Sequence, residues 1–495
     1  MRSRRITATL VTAIALAWLT TAPTARTSEE YYYGIEIGGR LCGYARVTAV
    51  PLRKDGHELI QLTHESVIRA TLLGGPVDVR MTLTYRVDPE MKGFTEHASV
   101  IEQGPNRMAS ALRIEGSRAL VAGQKPGEED AVDLPPDVVL ANTLRFPHLV
   151  ADFVGTDTAD KTYHVFDGRD NAVRDVTYTR KGSETLTLAG RSFKTVMFDS
   201  LDRRTGVAAT VWIDEETGVV VQTRHPGQRL TYLAGPDIVD AVTDPVRMPD
   251  LSGTIMTPTN VTIRNVRDIS YMKVRASMRP SGLLLTPDAL NVPGQRFEGA
   301  VKDNAVEGVF EIGHRRYDGS QAPPFPPDFS HDPGLREYLA SSELIQSDDP
   351  VLIAKAREIT NGSPDAWEAA RRLSAGVGNN IKGAIPGGGS ARGTFDQRAG
   401  ECGGHSFLMA AFARAVGIPA RAVWGAMYTP RNGGEFGQHA WNEVYMGAAG
   451  WIPVDTTITE TDYVDSGHIR VGVFQSLATV LNARSFEILE HRTER

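Results

Sequence analysis

The sequence predicts an α+β protein: a long, mostly antiparallel β region, then a C-terminal part that mixes helices with strands. Three observations carry this. Val77, Val79, Met81, Leu83, Tyr85 and Val87 alternate with polar residues, the two-residue period of a half-buried strand. Leu408, Ala411, Phe412 and Ala415 fall on one face of a helix. Between these regions Pro323, Pro324, Pro326, Pro327 and Pro333 crowd residues 318–334, which reads as a linker.

Residues 1–27 read as a secretory signal peptide. Met1-Arg2-Ser3-Arg4-Arg5 is a basic start, Ile6 to Leu19 an apolar run too short for a comfortable membrane span, and small residues follow up to Ala25. The expected location is the cell envelope, secreted or periplasmic, with a membrane contact only if this segment stays uncleaved. The formal net charge is −7 and becomes more negative when Arg2, Arg4 and Arg5 leave with the signal. An acidic chain without a basic cluster argues against nucleic acid as a partner. Two cysteines exclude a disulfide framework. Cys42 reads as a buried free thiol in a strand.

Residues 31–250 form a first β-rich domain and 251–317 a second β-rich segment, with Pro245, Pro249 and Pro258 marking the boundary. Asp214 to Gly218 is a turn between Thr210-Val211-Trp212-Ile213 and Val219-Val220-Val221. After the linker, residues 335–495 form a C-terminal domain that mixes helices and strands. Asp349-Pro350 is a helix start, and Ser363-Pro364 repeats the device. Ala366, Ala370, Leu373, Val377 and Ile381 then give an apolar face. Gly383 to Gly393 is glycine-rich but has no following Gly-Lys-Ser/Thr, so it predicts a mobile substrate-side loop rather than a phosphate cradle.

The chemistry concentrates on Cys402, His439 and Asp455. Gly400 and Gly403 flank Cys402, an apolar helix follows, and Gly417 with Pro419 stops it. A thiol at the first turn of a helix is expected to have a lowered pKa and to lie beside amides that bind an oxyanion. His439, Trp441, Glu443 and Tyr445 alternate as in a strand, Met446 to Gly450 is a turn, and Trp451 to Asp455 is a second strand. A hairpin centred on 447 or 448 puts Asp455 opposite His439 or Trp441, on the His439 face in both registers. A thiol, an imidazole and a carboxylate make a nucleophile, its base and the base's orienter. His405 reads as a solvated or capping residue, Arg421 as a partner of Glu443, and Trp424, Trp441 and Trp451 as core aromatics. His57-Glu58 lacks the second histidine of a zinc peptidase motif, and no calcium loop occurs. The sequence therefore predicts no metal and no cofactor.

These segments resemble the transglutaminase-like superfamily, a papain-like Cys-His-Asp fold. Gly400-Glu401-Cys402 resembles its thiol segment and Gly417-Ile418-Pro419-Ala420-Arg421 the end of its helix. His439-Ala440-Trp441-Asn442-Glu443 resembles its histidine segment, and Trp451 before Val454-Asp455-Thr456-Thr457 its aspartate segment, where the family usually has VDPT. Val464-Asp465-Ser466-Gly467-His468-Ile469 resembles a tail of bacterial secreted members. The resemblance covers about residues 335–472. It implies that Cys402 attacks an amide or ester carbonyl, His439 shuttles the proton and Asp455 fixes the imidazole tautomer. The leading expectation is a secreted cysteine peptidase or amidase acting on a protein or peptide substrate. The alternatives are an amine-transferring cross-linker and a non-catalytic envelope adaptor acting through the β region. The sequence leaves the oligomeric state open.

Overall fold

The computed structural model describes residues 28–494 apart from 73, 105, 123–128, 170, 228, 244–247, 314–315, 386 and 475–478. The expected signal peptide lies outside the described residues. Among these, no helix is long and apolar enough to cross a membrane. The chain divides into two compact units, residues up to 71 with 76–251, and residues 72–75 with 252 onward.

The first unit is built on a fifteen-stranded sheet in which successive strands pair as antiparallel neighbours, except that the consecutive strands Glu129–Asp133 and Val139–Leu140 are its two ends. The exceptions are informative. Its first strand, Glu29–Ile37, pairs antiparallel with its last, Arg229–Ala234, and Val139–Leu140 runs parallel to Asp160–Phe166. Leu149 and Phe153 of the helix Pro147–Phe153 pack on Tyr163, Tyr178, Phe198, Val211 and Ile213 of the strands. The strand Gly75–Val87 buries Leu83, Tyr85 and Val87. Strands Ala208–Asp214 and Val220–His225 flank the turn at Asp214 to Gly218. Cys42 is a buried free thiol whose Sγ lies 3.5 Å from the Ile35 carbonyl oxygen, and burial pushes its pKa up to about 11.

In the second unit the elements that bear on the site are β1 (Met256–Pro258), β2 (Ile269–Met278), β3 (Gln295–Lys302) and β4 (Ala305–Gly313). Helices α1 (Pro350–Thr360), α2 (Ala366–Asn380), α3 (Ala391–Gln397) and α4 (Cys402–Ala415) follow. Strands β5 (Ala420–Thr429), β6 (Glu435–Tyr445), β7 (Trp451–Val454), β8 (His468–Val473) and β9 (Ala483–Thr493) complete it. One sheet has the order β1-β6-β5-β8 with β7 also on β6, and a second has the order β3-β4-β2-β9. Residues 251–317, read from the sequence as a separate segment, thus take their last strand from the C-terminus. Met272, Val274 and Phe310 of that sheet share one apolar core with Leu373, Leu408, Phe412 and Trp424.

Local chemistry explains the helices. The Asp349 side chain accepts from the Val351 and Leu352 amides, and Pro350 loses no bond at the first position. Before α2 the cap is Asp365, accepting from Glu368 N–H at 2.8 Å, and not Ser363, so Pro364 lies just ahead of the cap and not at the first helical position. Helix α4 stops at Ala415, and Gly417 takes φ +85°, the left-handed conformation that glycine adopts without strain. The proline-rich stretch is tied down: Ala366 N–H donates to the Pro323 carbonyl at 2.8 Å, and Tyr317 packs edge-on against Trp367.

Candidate active site

The edge of β6 is shared by two short strands. β1 pairs with residues 435–437 and β7 with residues 442–445. Residues 438–441 between them have no strand partner on that edge among the described residues. Helix α4 packs on β5 and β6 and brings Cys402 to this opening, beside the Ala440 backbone. The helix is held in register by Asn442, whose Nδ2 donates to the Ser406 carbonyl at 2.9 Å, and by Ser406, whose Oγ donates to the Cys402 carbonyl at 2.8 Å.

His439 lies on the opening. Its Nε2 is 2.6 Å from Asp455 Oδ2, and the two residues are 5% and 0% exposed. Asn442 faces Val454 in the β6–β7 ladder, so continuing the ladder by one residue brings Asp455 level with Trp441, the hairpin register centred on 448. Asp455 Oδ1 accepts from Thr457 N–H at 2.8 Å. Burial works against the Asp455 charge, but His439 and His468 outweigh it and hold the carboxyl far below its usual range. On the far side of His439, Gly425 of β5 has no side chain to spare: a Cβ there would come within 1.9 Å of the Ile469 carbonyl oxygen of β8.

The thiol differs from the expectation. Burial and then the Glu401 carboxylate push the Cys402 pKa well above its ordinary value, with the Ala440 amide pulling the other way. Glu401 is the cap of α4. Its carboxylate accepts from Gly403 N–H at 2.7 Å and Gly404 N–H at 3.0 Å, and the Cys402 Sγ–H donates to its Oε2 at 3.3 Å. The amides expected to stabilise a thiolate are occupied by a full negative charge, and that charge is what the thiol meets first. Cys402 is itself half-buried.

The reading of His405 is also revised. His405 is neither solvated nor a cap. It is 2% exposed, with Nδ1 2.9 Å from the Glu401 carbonyl oxygen and Nε2 3.2 Å from that of Ile381. The glycine-rich loop is hydrogen-bonded in place, Ala384 N–H to Gly400 O at 3.0 Å and Gly388 N–H to Ala399 O at 2.9 Å. These bonds anchor the segment just before Cys402. Arg421 meets Glu443 at 2.6 Å, and Arg470 meets the same carboxylate at 2.8 Å. Together with Trp441, Trp451 and His468 they line a groove open to solvent.

The residues that motif reasoning passed over are Glu401, Glu460, Asp465 and His468. His468 is 4% exposed on β8, its Nε2 3.4 Å from Asp455 Oδ2 and its Nδ1 3.1 Å from the Asp465 carbonyl oxygen. Asp465 N–H in turn donates to Glu460 Oε2 at 2.9 Å. Burial and Asp465 push Glu460 up to about 8. The only sequence signal was the tail Val464–Ile469, whose spacing says nothing about which carboxylate His468 reaches.

Residues 353–456 match the model of the transglutaminase-like superfamily, a span containing Cys402, His439 and Asp455. No curated protein matches the chain. Among solved structures, a candidate cysteine protease of Cytophaga hutchinsonii is 17% identical, with 46% of this chain and 90% of that one covered and a TM-score of 0.34. A β-barrel-like protein of unknown function from Brucella abortus is 10% identical over 41% of this chain and 94% of its own, with a TM-score of 0.29. A candidate protease of Parabacteroides distasonis is 9% identical over 85% and 68%, with a TM-score of 0.18. The chain is thus a strand-rich protein whose C-terminal half carries a domain of the transglutaminase-like superfamily.

Proposed function

We propose that the domain at residues 335–495 is a thiol-dependent acyl-transfer enzyme working outside the cytoplasm, a cysteine peptidase or amidase on peptide or cell-envelope substrates. The observation that carries this reading is the buried 2.6 Å contact of His439 Nε2 with Asp455 Oδ2, at the strand opening that receives Cys402. With Nε2 committed to the carboxylate, the neutral imidazole carries its proton there and leaves Nδ1 as the base. Cys402 Sγ attacks the carbonyl carbon as its proton passes to His439. The imidazolium then protonates the leaving amine, the C–N bond breaks and a thioester remains. Water, deprotonated by the same imidazole, releases the acid and restores the thiol.

Because the resting thiol is held neutral, His439 acts as a true general base, unlike in a preformed thiolate–imidazolium pair. Glu401 takes the Gly403 and Gly404 amides, so the Cys402 amide is the helix-terminal donor left to meet the oxyanion. The test is mass spectrometry of the protein after exposure to an activated ester or a glutamine-containing peptide. One acyl group on Cys402, and none on Cys402→Ala, supports the reading. Faster release by an added amine than by water would make the enzyme a cross-linker. Failure of the folded wild type to acylate would end the catalytic reading and turn attention to the β region.

A further inference from the structure

We propose that His468 is a positioning residue of this site: a second imidazole, anchored by Asp465, that sets its charge against the Asp455 oxygen used by His439. The inference rests on the catalytic reading of Cys402, His439 and Asp455.

Asp455 has no access to water, and an ionised carboxylate in such a place needs donors and a counter-charge. It receives one backbone amide on Oδ1 and the His439 ring on Oδ2. His468 Nε2, 3.4 Å from the same Oδ2, has no hydrogen-bond partner among the described residues and so is spent on this contact alone. Its other nitrogen lies 3.1 Å from the Asp465 carbonyl oxygen and 3.5 Å from Asp465 Oδ1. Both ring nitrogens thus face acceptors, and only the imidazolium has two N–H groups to offer them. The ring is fixed edge-on against Trp441, centroids 5.2 Å apart, and 5.7 Å from the His439 ring.

The charged and titratable groups around it are accounted for. From β6 come His439 and, farther along, Glu443, which Arg421 and Arg470 pair. From the loop before β8 come Asp455, Asp465 and Glu460, and Arg267 meets Glu460 at 3.1 Å. Burial opposes a charge on His468, but Asp465 and Asp455 outweigh it and hold the imidazole well above its ordinary value. At Glu460 burial and Asp465 act together to favour the proton, against His468 and Arg267. Asp455 and Asp465 thus flank the imidazolium, while Arg267 is shared between Glu460 and Asp462. Asp455 stays ionised and aimed while His439 gains and loses its proton.

The experiment is the rate of Cys402 alkylation by iodoacetamide against pH, with Cys42 as internal control. It compares wild type with His439→Gln, Asp455→Asn, His468→Gln and Asp465→Asn. Removing a cation makes neighbouring groups hold their protons to higher pH. His468→Gln should therefore need about one pH unit more to reach a given rate, roughly tenfold slower at fixed pH, while the final labelled fraction is unchanged. A merely structural role would lower the labelled fraction without moving the curve, and that result overturns the proposal. So does a His468→Gln curve that superimposes on wild type while His439→Gln and Asp455→Asn do not. If wild type and His439→Gln superimpose, it is the catalytic reading that fails. If His468→Gln does not fold, isosteric Asp465→Asn tests the same point by removing the side-chain charge that faces the ring while leaving the Asp465 carbonyl contact, and an unshifted curve refutes the proposal.

Discussion

Replacing Glu401 with Gln should make Cys402 more reactive. In the wild type the Sγ–H donates to a carboxylate oxygen 3.3 Å away, in a half-buried place where the charge is poorly screened. A hydrogen bond to a charged partner contributes about 1.5–3 kcal/mol. Here it favours the thiol over the thiolate, so losing the charge should raise the thiolate population at fixed pH roughly 10- to 100-fold. The Gln amide could also donate to the thiolate. The cost is part of the cap: Glu401 serves two amides at 2.7 and 3.0 Å, and Gln keeps one acceptor oxygen, so about 0.5–1 kcal/mol of stability is lost. The assay is the iodoacetamide labelling rate of the Cys402 peptide at pH 7.5, with Cys42 as control and circular dichroism as the folding check. An unchanged or slower rate in a folded variant would show that Glu401 does not hold the thiol neutral, and the general-base mechanism would lose its main support.

Asp455→Asn should leave the circular dichroism spectrum intact and lower acylation of Cys402 by about 10³–10⁴, close to the loss in a serine triad, because a neutral thiol depends fully on its base; a loss below tenfold in an ester assay would contradict this. Gly425→Ala should destabilise the second unit by several kcal/mol, since its Cβ would meet backbone at 1.9 Å that cannot give way without shifting β8; an unchanged melting temperature would count against the described β5–β8 packing. Glu460 binds its proton more tightly in the fold than in the unfolded chain, so its contribution is complete below about pH 4.5 and fades as pH rises through about 8. The melting temperature should therefore fall by a few degrees from pH 6 to pH 9, and Glu460→Gln, which mimics the protonated form, should flatten that slope.

What the sequence determined by itself is what neighbouring residues can settle. A glycine and a proline beyond Ala415 stop a helix whatever lies around it, and Asp349 before Pro350 starts one. A strand, a short turn and a strand put side chains sixteen residues apart on one face, which is why His439 and Asp455 could be paired on paper. Cys402 and the helix it opens were legible for the same reason. Tertiary structure decided what depends on partners distant in the chain. The opening at residues 438–441 exists because β1, almost two hundred residues earlier, and β7 divide the edge of β6 between them. The charge state of the thiol was misread because helix position suggests free amides, whereas the folded cap gives them to Glu401. His468 reaches Asp455 only because β5 lies between β6 and β8 and has glycine at 425. Periodicity is local and survives in any context. Burial, which sets whether a group keeps its proton, is a property of the whole fold.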